Sequence, residues 1–219
     1  MTVAVAINVY KETPVQLTEC FSRVRANLSS KVKIFLDGQD RPEVVALAKV
    51  FGFEVVVSPN CGCNDRWHLW WLRMLEFFVQ SGADVCFKID PDTMVDRSPV
   101  LCSADYFGSV ESFNGYDYVQ GGITGMSQRA ASLAKTVLEQ GTFKSVEECV
   151  CSGGRPTVGY FAGPVSSWAF TDDHAIAHVL KQVGILPVAW VECLSVWRKP
   201  IGNLKLRYAM VHPRYYIEA

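Results

Sequence analysis

Four short apolar runs, spaced by helix-length stretches of chain, limit what this sequence can fold into. They are Val3–Ile7, Val32–Leu36, Phe53–Val57 and Val85–Ile89. Continuous apolar runs of this length read as strands buried on both faces. Thr13-Pro14 opens the first intervening segment, where Leu17, Phe21, Val24 and Leu28 recur at helical spacing. Arg41-Pro42-Glu43 opens the second, through Val44, Leu47, Ala48 and Phe51, and Gly52 ends it. Asn64 or Asp65 caps a third helix with the stripe Trp67, Trp70, Trp71, Met74, Phe77 and Phe78. The order β-α-β-α-β-α-β predicts an α/β fold: three layers, α/β/α, around a mostly parallel central sheet with right-handed crossovers.

Beyond Asp96 the pattern weakens. Tyr116–Val119 reads as a strand broken by Gly121-Gly122, and Ser127 begins a helix through Ala131, Leu133, Ala134 and Leu138. The stretch 141–163, rich in Gly, Ser and Thr, reads as loop. Asp172–Val183 is expected to be helical, Ile185–Val191 a strand, and Tyr208–Ile217 a tail. No repeat or composition break divides the chain, so one domain is expected over 1–219, with a ligand-binding half 1–96 and a second half 97–219.

The 219 residues carry a formal net charge of −1, which gives no bulk electrostatic case for nucleic acid or an anionic membrane. The most apolar long segment, Trp67–Val79, is interrupted by His68, Arg73 and Glu76, so no transmembrane segment is expected. Of the eight cysteines, Cys20, Cys86, Cys102 and Cys193 stand singly in apolar surroundings, as free thiols do. Cys61, Cys63, Cys149 and Cys151 form two C-x-C pairs, an atypical spacing for a four-thiolate zinc site. With no basic leader at Met1-Thr2-Val3-Ala4, a reduced cytoplasmic protein is the expectation.

The fourth run ends in Asp90-Pro91-Asp92. Period two in an extended segment turns both carboxylates to one side, and Pro91 stops the sheet ladder there. Two carboxylates at the lip of a sheet suit a hard divalent ion, Mg²⁺ or Mn²⁺. A solvated strand end has the same look, so context decides. In an open parallel sheet, ligands lie beyond the carboxyl ends of the strands. There the sequence places Asn8 and Tyr10, Asp37, Asn60, and Asp90 with Asp92.

These residues, in this order, resemble the N-terminal half of the GT-A glycosyltransferases, which use nucleotide-diphosphate sugars. The resemblance implies a nucleoside held at Asn8 and Tyr10, a base contact at Asp37, a metal on the diphosphate at Asp90 and Asp92, and Arg66 near the diphosphate. Tyr118–Ser127, with Gly121-Gly122, resembles the acceptor-side loop of Fringe-like members, although Gln128-Arg129 follows where they have a Ser-Arg-like helix start. Thr171-Asp172-Asp173-His174 is similar to their paired-Asp element, which implies a catalytic base at Asp172 or Asp173. Val211-His212-Pro213 occupies the place of the late histidine that completes the metal site. Trp168 is a candidate platform for a glycan or glycoprotein acceptor. The chain departs from the secreted enzymes in lacking their anchor and disulfide-rich setting; small glycosyltransferase domains of large algal viruses are the nearer likeness.

Two other readings compete. Asp90-Pro91-Asp92-Thr93-Met94 resembles the D-x-D-x-T/V signature of haloacid-dehalogenase phosphatases, with Asp90 as nucleophile, but Met94 stands where Thr or Val belongs. A non-catalytic module that binds nucleotide or sugar would keep the acid pair and show no turnover.

Overall fold

The computed structural model describes residues 1–28, 30–38, 40–58, 67–113, 116–140, 143–150, 156–162, 172–197 and 208–214. At 58, 67–68, 113, 116, 143–150, 156–162, 172, 196–197 and 213–214 the description is of backbone alone.

The N-terminal half follows its apolar pattern. Strand β1 (Val3–Val9) leads to α1 (Pro14–Asn27), β2 (Ser30–Asp37), α2 (Pro42–Val50), β3 (Glu54–Ser58), α3 (Trp67–Ser81) and β4 (Val85–Ile89). The start of α1 is fixed chemically. The Thr13 side chain accepts from the Gln16 amide, the Gln16 side chain accepts from the Thr13 amide, and Pro14 takes the first helical position. Strands β3, β2, β1 and β4 lie side by side and parallel.

Alternation along these strands feeds two cores. Val3, Val5 and Ile7 of β1, with Val85, Phe87 and Ile89 of β4, pack on Leu17 and Phe21 of α1 and Val44 and Ala48 of α2. Ala4, Ala6 and Cys86 face the other way, onto Trp71, Met74 and Phe78 of α3. Among the described residues Trp71 is the largest side chain wholly removed from solvent, and Trp70 packs partly buried beside it, so these two tryptophans join helix to sheet.

The second half extends the same sheet. Short β5 (Met94–Val95) is followed by β6 (Tyr106–Phe113), β7 (Tyr116–Ser127), α4 (Gln128–Gln140), β8 (Phe143–Val150), β9 (Pro156–Ala162), α5 (Asp172–Gln182), β10 (Val188–Ala189), β11 (Cys193–Trp197) and β12 (Met210–Arg214). The central sheet has seven strands in the order β10-β6-β7-β4-β1-β2-β3. Only β7 runs against its neighbours β4 and β6. Helices α4 and α5 join α3 on its face of the sheet. The protein is therefore α/β with a mostly parallel central sheet and helices on both faces. No helix among the described residues is long and apolar enough to cross a membrane.

Four expectations are corrected. Gly121-Gly122 does not break a strand: β7 runs through it, and just past the last β4 pair, Ile89–Ile123, the Gly122 carbonyl accepts from the Asp90 amide. The Gly/Ser/Thr-rich stretch holds an antiparallel hairpin, β8 with β9, whose composition hid it. The strand expected over Ile185–Val191 is two residues long, at the sheet edge beside β6. The expected tail instead supplies β12, which pairs with β11 and β5 in a three-stranded sheet of its own.

Phe87 sits between Trp190, stacked at 5.5 Å, and Phe107, edge-on at 5.9 Å, and is fully buried. Phe87→Ala is expected to cost about 3–5 kcal/mol. Urea unfolding of the two proteins measures it; a change under 1 kcal/mol would mean the cluster is not the packing centre it looks.

Candidate functional site

Beyond the last residue of β4 the chain makes a tight turn. The Thr93 amide donates to the Asp90 carbonyl at 2.9 Å, with Pro91 inside the turn. The two carboxylates converge through this turn, not through the extended alternation expected from the sequence. The turn is clamped to β7: the Asp90 amide (2.9 Å) and the Thr93 hydroxyl (3.0 Å) both donate to the Gly122 carbonyl.

The turn leads straight into β5, and that decides what meets it. β5 pairs antiparallel with β12, Val211 opposite Met94 and Met210 opposite Val95. One step further along β12, His212 arrives beside the turn. Its Nε2 lies 3.1 Å from Asp92 Oδ1 and 3.7 Å from Asp90 Oδ2. Its Nδ1 faces the Ser195 hydroxyl at 3.4 Å, across the β11–β12 ladder. The Ser195 hydroxyl can donate to Nδ1 or accept from it, so the ring can turn an N–H toward Asp92 or present Nε2 as a ligand atom.

One ligand atom each from Asp90, Asp92 and His212 lies within 4.8 Å of the others. Oxygen and imidazole ligands bind divalent ions at about 2.0–2.3 Å, so a common ion needs these atoms roughly 4.5 Å apart or less. The two distances to His212, 3.1 and 3.7 Å, meet that limit, and two carboxylate oxygens with one imidazole nitrogen are donors that a divalent ion accepts.

Gly121 and Gly122 explain how the parts come so close. A Cβ on Gly121 would fall inside the Asp173 carboxylate, and one on Gly122 inside the His212 ring. Neighbouring strand residues present opposite sides, so α5 delivers Asp173 to one and β12 delivers His212 to the other. β7 is irregular here. Gly108 of β6 pairs with Thr124, yet Val110 pairs with Val119, so extra β7 residues bulge out beside the site. The two glycines, expected in an acceptor-side loop, are strand residues whose Cα faces are already covered.

Sequence reasoning passed over Lys88. It is 3% exposed, in a strand whose every other residue is buried. Its ammonium lies 2.7 Å from Asp90 Oδ1, donates to the Gly121 carbonyl and rests 5.5 Å from the Trp70 ring centre. The signal was a lysine inside an apolar run, two residues before the first acid and so on its side of the strand.

The other strand ends open on the same edge. Asn8 falls one step beyond the pair Ile7–Ile89, next to Asp90 in register, and both its amide atoms are buried with no hydrogen-bond partner among the described residues. A buried, unsatisfied amide is costly unless something meets it. Asp37 ends β2 and is 7% exposed. Tyr10 stands exposed just past β1, in a turn braced by Arg41, which donates to the Glu12 carbonyl at 2.8 Å. Arg66, Asn60, Trp168, Cys61, Cys63 and Cys151 lie outside the described residues, as do the side chains of Asp172 and Cys149.

Beneath the acids lies Cys20 of α1. Burial pushes its thiol well above the ordinary range, and the charges of Asp92 and Asp90 push it further. Burial likewise holds the Cys86 and Cys193 thiols up at about 12. The four described cysteines are free. A separate cavity of about 310 Å³ lies along α5, lined by Tyr118, His174, His178, Lys181 and Leu186. Compared with protein-family models and with curated proteins, the sequence matches none.

Gly122→Ala is expected to force His212 from its place, costing about 1–3 kcal/mol in stability. His212 is 6% exposed in the native protein, so it is expected to resist imidazole-directed acylation there. Mass mapping after diethyl pyrocarbonate should show its modification rise in the variant; unchanged protection would mean the ring does not depend on the glycine.

Proposed function

We infer that this protein is a metal-dependent glycosyltransferase of GT-A, Fringe-like type. It would move a sugar from a nucleotide-diphosphate donor, a uridine diphosphate sugar first, to a glycan or glycoprotein acceptor. One observation carries the reading. Asp90 and Asp92 meet His212, from the far end of the chain, at the carboxyl edge of a mostly parallel sheet. That is the edge where such sheets bind ligands.

Asp90, Asp92 and His212 Nε2 would hold Mn²⁺ or Mg²⁺. The ion, when bound, supplies Lewis-acid stabilisation to the departing diphosphate. The chain's own residues do the rest. Ser195 fixes the His212 ring. Asn8, with its unsatisfied amide, and Asp37 at the neighbouring strand end would receive the nucleoside. Tyr10 is exposed at the same edge to cover it. Asp173, 4% exposed against Gly121, would take the acceptor hydroxyl's proton if configuration inverts. Such general-base help is worth about 10²–10⁴-fold in rate.

The test is thermal-shift screening with UDP, GDP and their sugars, with and without Mn²⁺. At a hundredfold its Kd a ligand adds about 2.7 kcal/mol, a shift of roughly 5–10 °C at this size. At least one diphosphate should give a Mn²⁺-dependent shift that Asp90→Ala and Asp92→Ala abolish. No shift with any nucleotide would sink the proposal. Asp173→Asn should keep nucleotide binding and lose transfer; full turnover in that variant would remove Asp173 from the mechanism. Release of phosphate from an aryl phosphate, lost in Asp90→Asn, would favour the phosphatase instead.

A further inference from the structure

We propose that the Lys88 ammonium keeps the bare Asp90–Asp92–His212 group from holding a divalent cation alone, so that cation and diphosphate enter together. The inference rests on the glycosyltransferase reading for the identity of the diphosphate, but not for the role of Lys88.

Lys88 is enclosed. At 3% exposure, between the Gly121 carbonyl and the Trp70 ring, its ammonium has no route to swing into solvent. It therefore stays against Asp90 Oδ1 at 2.7 Å. The ammonium crowds that oxygen and draws on its charge, so Asp90 Oδ2 is the freer ligand atom. The three residues then supply three ligand atoms, about half of what a hard divalent ion takes.

Charge points the same way. With His212 neutral, as a ligand must be, two carboxylates face one ammonium, and the group keeps a single net negative charge. Any cation bound to Asp90 Oδ2 lies across a single carboxylate from a fixed positive charge. In partly buried surroundings that repulsion is weakly screened. A diphosphate changes both counts: its oxygens fill the open coordination positions, and its charge outweighs the ammonium. By linkage, the nucleotide tightens the cation by the same factor as the cation tightens the nucleotide. Lys88 is thus a positioning residue that makes the site conditional on its anionic ligand.

The experiment titrates Mn²⁺ into the full chain by electron paramagnetic resonance, alone and with saturating UDP or GDP. The native protein should bind Mn²⁺ alone at least tenfold more weakly than with one of the nucleotides. Lys88→Gln keeps a donor for the Gly121 carbonyl and drops the charge. It should bind Mn²⁺ alone at least tenfold more tightly than the native protein, while Lys88→Arg stays weak. Circular dichroism melts confirm folding, and Lys88→Met replaces Lys88→Gln if the latter fails to fold. A purely structural lysine would lose affinity on substitution, not gain it. Unchanged or weaker Mn²⁺ binding in the charge-free variant overturns the role of Lys88 and leaves the glycosyltransferase reading standing. A gain in that variant with no effect of either nucleotide overturns joint entry and removes that reading with it.

Discussion

The site exists because two consecutive residues of β7 have no side chains. Gly121 admits the Asp173 carboxylate and Gly122 admits the His212 ring, each to within what would be Cβ distance of the backbone. The Gly122 carbonyl also ties down the acid-bearing turn, through the Asp90 amide and the Thr93 hydroxyl. The Gly121 carbonyl takes the Lys88 ammonium. One dipeptide therefore sets the spacing of four functional side chains drawn from β4, α5, β12 and the turn after β4. A glycine within a strand ordinarily weakens it, and close approach of other groups is the usual reason to find one there. Here the strand ladders stop short of the pair, and the bonds from Asp90, Thr93 and Lys88 to the two glycine carbonyls hold the backbone instead.

How much of this was legible in the sequence varies with the physics behind each part. The N-terminal half was readable because strands buried on both faces must be apolar throughout, and because Thr13-Pro14 and Arg41-Pro42 mark helix starts by local chemistry alone. The acid pair was readable as a pair, though by the wrong geometry: a proline-containing turn joins the carboxylates, and a turn's carbonyl-to-amide bond leaves no periodic trace. His212 was reachable only through resemblance, since nothing in Val211-His212-Pro213 tells of a β5 partner more than a hundred residues earlier. β6, β11 and the β8–β9 hairpin escaped because edge and surface strands tolerate polar residues, which erases the apolar run. Gly121-Gly122 was read as a breaker because propensity sees a missing side chain and not the neighbours that need its space.

Lys88 escaped for a different reason. A charge within an apolar strand looks like noise when only hydrophobicity is read. Taking an ammonium out of water costs several kcal/mol unless a partner and further acceptors meet it. Asp90, the Gly121 carbonyl and the Trp70 face supply them. Such an arrangement contributes little net stability, since an apolar side chain of the same length would fill the space at no desolvation cost. A buried charge that stability does not require has to be accounted for by what it does to its neighbours. Its neighbour is an acid at the mouth of the sheet.

The two sides of the site are held with different firmness. Asp90 and Asp92 hang from β4, the strand between β1 and β7 at the centre of the sheet, and their turn is bonded to β7. His212 depends on a small second sheet whose link to the acids is the two-residue strand β5. β5 in turn is fastened to α1: Asn27 donates to the Val95 carbonyl at 2.7 Å, and Arg23 pairs with Asp96. One side-chain amide and one ion pair thus tie α1 to the strand that borders the imidazole. His212 is nonetheless seated on the Gly122 backbone, and Ala209, Met210 and Val211 ahead of it are fully buried, so the second sheet is packed onto β7 as well as tied to β5.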